Sequence, residues 1–99
     1  MILHIPIIDP LNKTFTMMAG DQVRCSLHRD CPRVEVNGAT LKPDLMTWAQ
    51  QQAKDHTSSL YRELEARDML NLSELTEGPY QTVKALAWSD LKRVVEGLR

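Results

Sequence analysis

The sequence predicts a small α+β protein in which an N-terminal antiparallel β-sheet of three to five short strands packs against two or three C-terminal α-helices. Three observations carry this. Residues up to Leu41 alternate in strand fashion between turn signals, Asn37-Gly38 is a hairpin dipeptide, and apolar residues recur at helical spacing beyond Pro43. The 99 residues are enough for one hydrophobic core and not for two, so 1–99 is read as a single domain, 1–42 β-rich and 43–99 helical.

The first strand is read in Leu3 to Ile8, an isoleucine-rich run. Pro6 cannot donate to a β-ladder, which predicts a sheet edge or a bulge there. Asp9 to Lys13 reads as a turn, because Pro10 fixes φ while Asp9 and Asn12 can bond their own backbone. Thr14 to Met18 then pairs back on the first strand, and Ala19-Gly20-Asp21 turns again. From Val23 to His28 the alternation places Val23, Cys25 and Leu27 on one face and Arg24, Ser26 and His28 on the other. Asn37-Gly38 joins the last two strands, since both positions of a type I′ turn need positive φ. That turn sets Val36 opposite Ala39 and Val34 opposite Leu41.

Pro43 and Asp44 suit the first turn of a helix. A stripe of 3.6-residue period follows through Leu45, Trp48, Ala49, Gln52, Ala53, His56, Leu60 and Leu64. Thr57-Ser58-Ser59 has poor helix propensity and offers a break, but the unbroken stripe favours one helix, kinked there, ending near Asp68. Met69 to Gly78 is a connector in which Ser73 caps a short turn. Gly78-Pro79 opens the last helix, with a stripe of Tyr80, Val83, Ala87, Leu91, Val94 and Leu98 widened by Trp88 and Val95; Ser89-Asp90 offers a restart within it.

Composition narrows the function. Twelve Lys and Arg oppose thirteen Asp and Glu, and this near-neutral balance weighs against general nucleic-acid or anionic-membrane binding. No run approaches the roughly 20 apolar residues of a membrane span. The apolar start lacks a basic flank and soon meets Asp9-Pro10, which does not fit a signal peptide. The expectation is therefore a cytoplasmic protein with reduced thiols.

Four groups of residues hold chemistry. Cys25, His28 and Cys31, with His4 as a fourth ligand, have side chains suited to zinc, although their C-x2-H-x2-C spacing matches no common zinc module. Cys25 and Cys31 alternatively form a redox pair, or two inert thiols. Arg24, Arg29 and Arg33 on the β half, with Lys84, Lys92 and Arg93 on the last helix, are the residues a DNA-binding regulator would use; acidic neighbours such as Asp90 and Glu96 dilute the second set. Trp48, Gln52, His56 and Tyr61 form a helix face rich enough to meet a protein partner or a second copy. No serine has nucleophile-elbow glycines, and His28-Arg29-Asp30 lacks every other element of a kinase. No small-molecule substrate is evident.

The leading expectation is a non-enzymatic binding or regulatory protein acting through protein contacts, as a homo-oligomer or with a partner. Its size and mixed architecture suit an accessory factor of a bacterium or phage. A small DNA-binding transcriptional regulator is the alternative, and a zinc-binding domain the second alternative.

Overall fold

The computed structural model describes residues 2–8, 14–26 and 33–97. Among the described residues five short strands precede three helices: β1 Ile2–Pro6, β2 Thr14–Met18, β3 Val23–Cys25, β4 Val34–Val36, β5 Ala39–Leu41, α1 Leu45–Lys54, α2 Ser59–Ala66 and α3 Glu77–Gly97, with a 3-10 turn at Leu72–Glu74 before α3. The expected α+β architecture is present, but its β part is two sheets. β1 and β2 pair antiparallel, and β3, β4 and β5 form a three-stranded antiparallel meander.

The two sheets meet at one isolated bridge, Ile7 with Pro43. Ile8 N–H donates to the Lys42 carbonyl (2.8 Å) and Asp44 N–H donates to the Pro6 carbonyl (2.7 Å). Pro6 therefore turns its backbone away from β2, so its missing N–H interrupts nothing in the β1–β2 ladder. The expected edge position of Pro6 is thereby explained.

The Asn37-Gly38 hairpin forms as the sequence requires. Asn37 has φ 52° and Gly38 has φ 87°. The register pairs Val34 with Leu41 and Val36 with Ala39. Asn37 does more than turn the chain. Its Oδ1 accepts from Gln22 N–H (2.9 Å), its Nδ2 donates to Asp21 Oδ1 (3.3 Å), and its N–H donates to the Gln22 carbonyl (2.8 Å). The hairpin tip is thus fastened to the β2–β3 turn.

The region from Leu45 to Ala66 corrects the one-helix expectation: it is two helices. Asp55 Oδ1 accepts from both Thr57 N–H (3.0 Å) and Thr57 Oγ1 (2.7 Å), a local turn that competes with helix continuation. Ser58 then serves both helix ends. Its Oγ donates to the Gln52 carbonyl of α1 (2.9 Å) and accepts from Tyr61 N–H of α2 (2.9 Å). Asp44 is the N-cap of α1, accepting from Thr47 N–H (3.1 Å), so Pro43 stands just before the helix rather than in its first turn. α2 ends in a Schellman motif, with Met69 N–H to the Leu64 carbonyl (2.8 Å) and Asp68 N–H to the Glu65 carbonyl (3.0 Å); Asp68 holds the left-handed position at φ 56°.

In the connector, Asn71 rather than Ser73 stands at the start of the 3-10 turn, and Ser73 Oγ donates to Asn71 Oδ1 (2.7 Å). α3 begins at Glu77, placing Pro79 in its first turn, where backbone N–H groups need no helical partner. The helix continues through Ser89-Asp90 without a restart.

Both halves contribute to one core. Ile5, Met17, Val23, Val34 and Val36 come from the strands; Leu45, Trp48, Ala49, Leu60 and Leu64 come from α1 and α2; Val83, Ala87, Trp88, Leu91 and Val95 come from α3. The helical half thus supplies ten of these fifteen buried side chains, as its apolar stripes imply. Among the described residues no helix is long and apolar enough to cross a membrane.

Candidate interaction surface

The β1–β2 sheet has a buried face and an open face. Strand alternation turns Met17 inward with Ile5, and turns Ile2, His4, Thr14, Thr16 and Met18 outward. Ile2 and Met18 are cross-strand partners and remain 58% and 56% exposed. The next outward pair, His4 and Thr16, is joined by a 3.0 Å hydrogen bond between Nδ1 and Oγ1. Ile8, two residues beyond Pro6, is 63% exposed. Sequence reading missed this apolar pair because it began the first strand at Leu3; the signal was the β1–β2 register, which places Ile2 against Met18 on the His4 side.

The helix face expected to meet a partner is divided by the structure. Trp48 is inside the core, 2% exposed, and presents no surface. Gln52 is half-buried on α1. His56 is not on a helix at all; it lies exposed in the α1–α2 turn, its ring 4.5 Å from that of Tyr61. Partial burial of the Tyr61 phenol and its hydrogen bond with Glu65 raise the Tyr61 pKa above its usual value.

Of the metal-type residues, Cys25 packs against the core from β3, and His4 is engaged with Thr16 on the open face of β1–β2. His28 and Cys31 lie outside the described residues, as does Arg29. Among the described residues no three His, Cys, Asp or Glu side chains are grouped to hold a metal ion.

The basic residues separate into two environments. Arg24 and Arg33 are exposed and line one depression of about 280 Å³ with Ser26, Glu35 and Thr40. On α3, Lys84 is half-buried, Lys92 lies 4.0 Å from Glu96, and Arg93 is tied to Asp90.

That last pair belongs to a cluster with no counterpart in the sequence reading. Asp90 is 4% exposed and is the one buried charged residue among those described. Its Oδ1 accepts from Ser59 Oγ (2.5 Å) and from Arg93 Nη2 (2.6 Å), while Arg93 Nη2 also donates to Ser59 Oγ (2.5 Å). The cluster lies along a groove of about 410 Å³ between α2 and α3. Ser59 Oγ donates one hydrogen bond and accepts another, and with Asp90 and Arg93 it fastens α2 to α3. Asp90 places its negative charge at the N-terminus of α2, where the helix dipole favours it.

No family model matches the chain, and neither a curated protein sequence nor a solved structure matches it.

Proposed function

We propose that the chain is a non-enzymatic binding protein of the cytoplasm that regulates a protein partner by contact with the open face of β1–β2. The observation that carries this reading is the Ile2–Met18 pair, two large apolar side chains held side by side and more than half exposed. Removing their remaining apolar area from water favours a complex by about 25 cal/mol per Å². A contact on the strands is also supported by Trp48, the largest side chain of the helix face, being occupied in the core.

The test compares partner recovery by the wild type, Met18→Lys and Gln50→Lys, Gln50 being an exposed residue of α1. The expected result is that Met18→Lys loses a partner which Gln50→Lys retains, with both variants matching the wild-type circular dichroism. The reverse pattern would return the contact to α1 and sink the reading.

A nucleic-acid contact is the second reading, favoured by the exposure of Arg24 and Arg33 around one depression. Retardation of duplex DNA that weakens steeply with salt and is abolished by Arg24→Glu with Arg33→Glu is the outcome it requires. Retardation unaffected by those charges would remove it.

A further inference from the structure

We infer that two copies of this chain associate by antiparallel pairing of their β2 strands, with the two-fold axis at Phe15. The inference goes beyond the protein-contact reading: it concerns the outer edge of β2 and not the open face, and its partner is a second copy of the chain.

The argument starts from backbone direction. Asp44 N–H reaches the Pro6 carbonyl on the side of β1 away from β2, so Pro6 and, by alternation, His4 and Ile2 turn their backbone groups outward. The ladder bonds between β1 and β2 therefore run through Leu3 with Met17 and Ile5 with Phe15. Thr14, Thr16 and Met18 must then direct N–H and C=O to the outer edge of β2. Met18 confirms this parity independently: its N–H donates to Asp21 Oδ2 (3.0 Å) and its carbonyl accepts from Asp21 N–H (3.2 Å). Asp21 thus closes one end of the edge and leaves the donors and acceptors of Thr14 and Thr16 facing out.

Two donors and two acceptors, two residues apart, are the complement of their own copy. A two-fold axis at Phe15 sets Thr14 of one protomer against Thr16 of the other, and the reverse, making four backbone hydrogen bonds. The same axis puts the two Phe15 residues directly opposite in a non-hydrogen-bonded pair, where Cα atoms approach to about 4.5 Å. Phe15 is half-buried against the core in the single chain, so the pairing covers what remains of the ring with a cross-strand aromatic neighbour. Nothing in β2 opposes the arrangement, because Thr14–Met18 contains no charge and no proline, the usual guards of an edge strand. Ile2 and Met18 stay on the open face, free for a different protein.

Sedimentation velocity over a wide concentration range is the first measurement. The expected result is a reversible dimer of twice the 11.3 kDa chain. Thr16→Pro deletes the outward N–H without touching the β1–β2 ladder, and should yield a monomer with unchanged circular dichroism. Phe15→Cys supplies an arm independent of that variant's folding: mild oxidation should give a disulfide-linked dimer, while Met18→Cys should not exceed the wild-type background. A wild type monomeric at every concentration, a dimer indifferent to Thr16→Pro, or cross-linking through Met18→Cys in place of Phe15→Cys would each overturn the inference. If the wild type is monomeric yet Met18→Lys still loses a partner, the β2 pairing fails and the protein-contact reading survives.

Discussion

The helical half and the β half end their polar groups differently. Around α2 and α3, the charge that packing draws inside is paired: Asp90 Oδ1 receives hydrogen bonds from Ser59 and Arg93. Ser58 and Asp55 likewise complete the break between α1 and α2. Around β1 and β2, Asp21 closes the outer edge of β2 at Met18 alone, and two large apolar side chains stand in the open. The difference teaches where each half spends its side chains. The helices consume theirs in holding the core, and the strands keep a face and an edge for something else.

The largest test of this comparison is Asp90→Ala. It leaves the Ser59 hydroxyl and the Arg93 guanidinium without their shared acceptor, and because Arg93 reaches solvent the loss should be about 2–4 kcal/mol, somewhat below a fully buried pair. Urea unfolding measures it, and a loss under about 0.5 kcal/mol would show that the helical half does not depend on its internal pairing.

Asn37→Ala is the corresponding test in the β half. It places a Cβ-branched-free but still disfavoured alanine at positive φ and removes the bonds to Gln22 and Asp21, for about 1.5–2.5 kcal/mol together. Asn37→Gly keeps the turn and loses only the side-chain bonds, so its cost should be about half as large. Equal losses for the two variants would assign the whole effect to fastening and none to backbone conformation.

Asp68→Gly should act in the other direction, stabilising by about 0.5–1 kcal/mol, because glycine holds the left-handed position at the end of α2 without strain. A lower thermal midpoint would show that the Asp68 side chain serves the helix end in a way its backbone role does not explain.

The smallest effect is acid-dependent. Hydrogen bonds from the Thr57 hydroxyl and the Thr57 N–H hold the Asp55 carboxyl below its ordinary 3.8, with a minor contribution from His56. A depressed carboxyl stabilises the fold above the unfolded value, and that stability is lost as pH falls through the folded value. The contribution should therefore be intact at neutral pH and disappear on the acid side of 3.8. Thr57→Ala should flatten this segment of the pH profile of the urea midpoint; an unchanged slope would assign acid sensitivity to other carboxylates.

Local chemistry was the legible part of the fold. Asn37-Gly38 announced its turn and register because both demands are met by two adjacent residues. The change from strand to helix at Leu41–Pro43 was equally local. The division of α1 from α2 was harder to read, since the four residues Asp55 to Ser58 span close to one helical turn and leave Leu60 and Leu64 in phase with Leu45 and Ala49. Periodicity cannot detect a break of that length. Asp90 was hidden for another reason: its partner Ser59 is 31 residues away, and a carboxylate beside an apolar stripe reads as surface until that partner is known. The candidate surface was least legible, because exposure of Ile2 and Met18 depends on which face of β1–β2 the helices cover.

Both tryptophans lie in the core, Trp48 on α1 and Trp88 on α3, and their indole N–H groups are buried with no acceptor among the described residues. Their emission should therefore be that of dry indoles, and should shift to longer wavelength only when the helices separate from the strands. Association at the edge of β2 or on the open face of β1–β2 leaves both rings where they are. The molecule thus carries an optical reporter that registers unfolding and is blind to binding, so one titration followed by fluorescence and by sedimentation tells the two apart without any label.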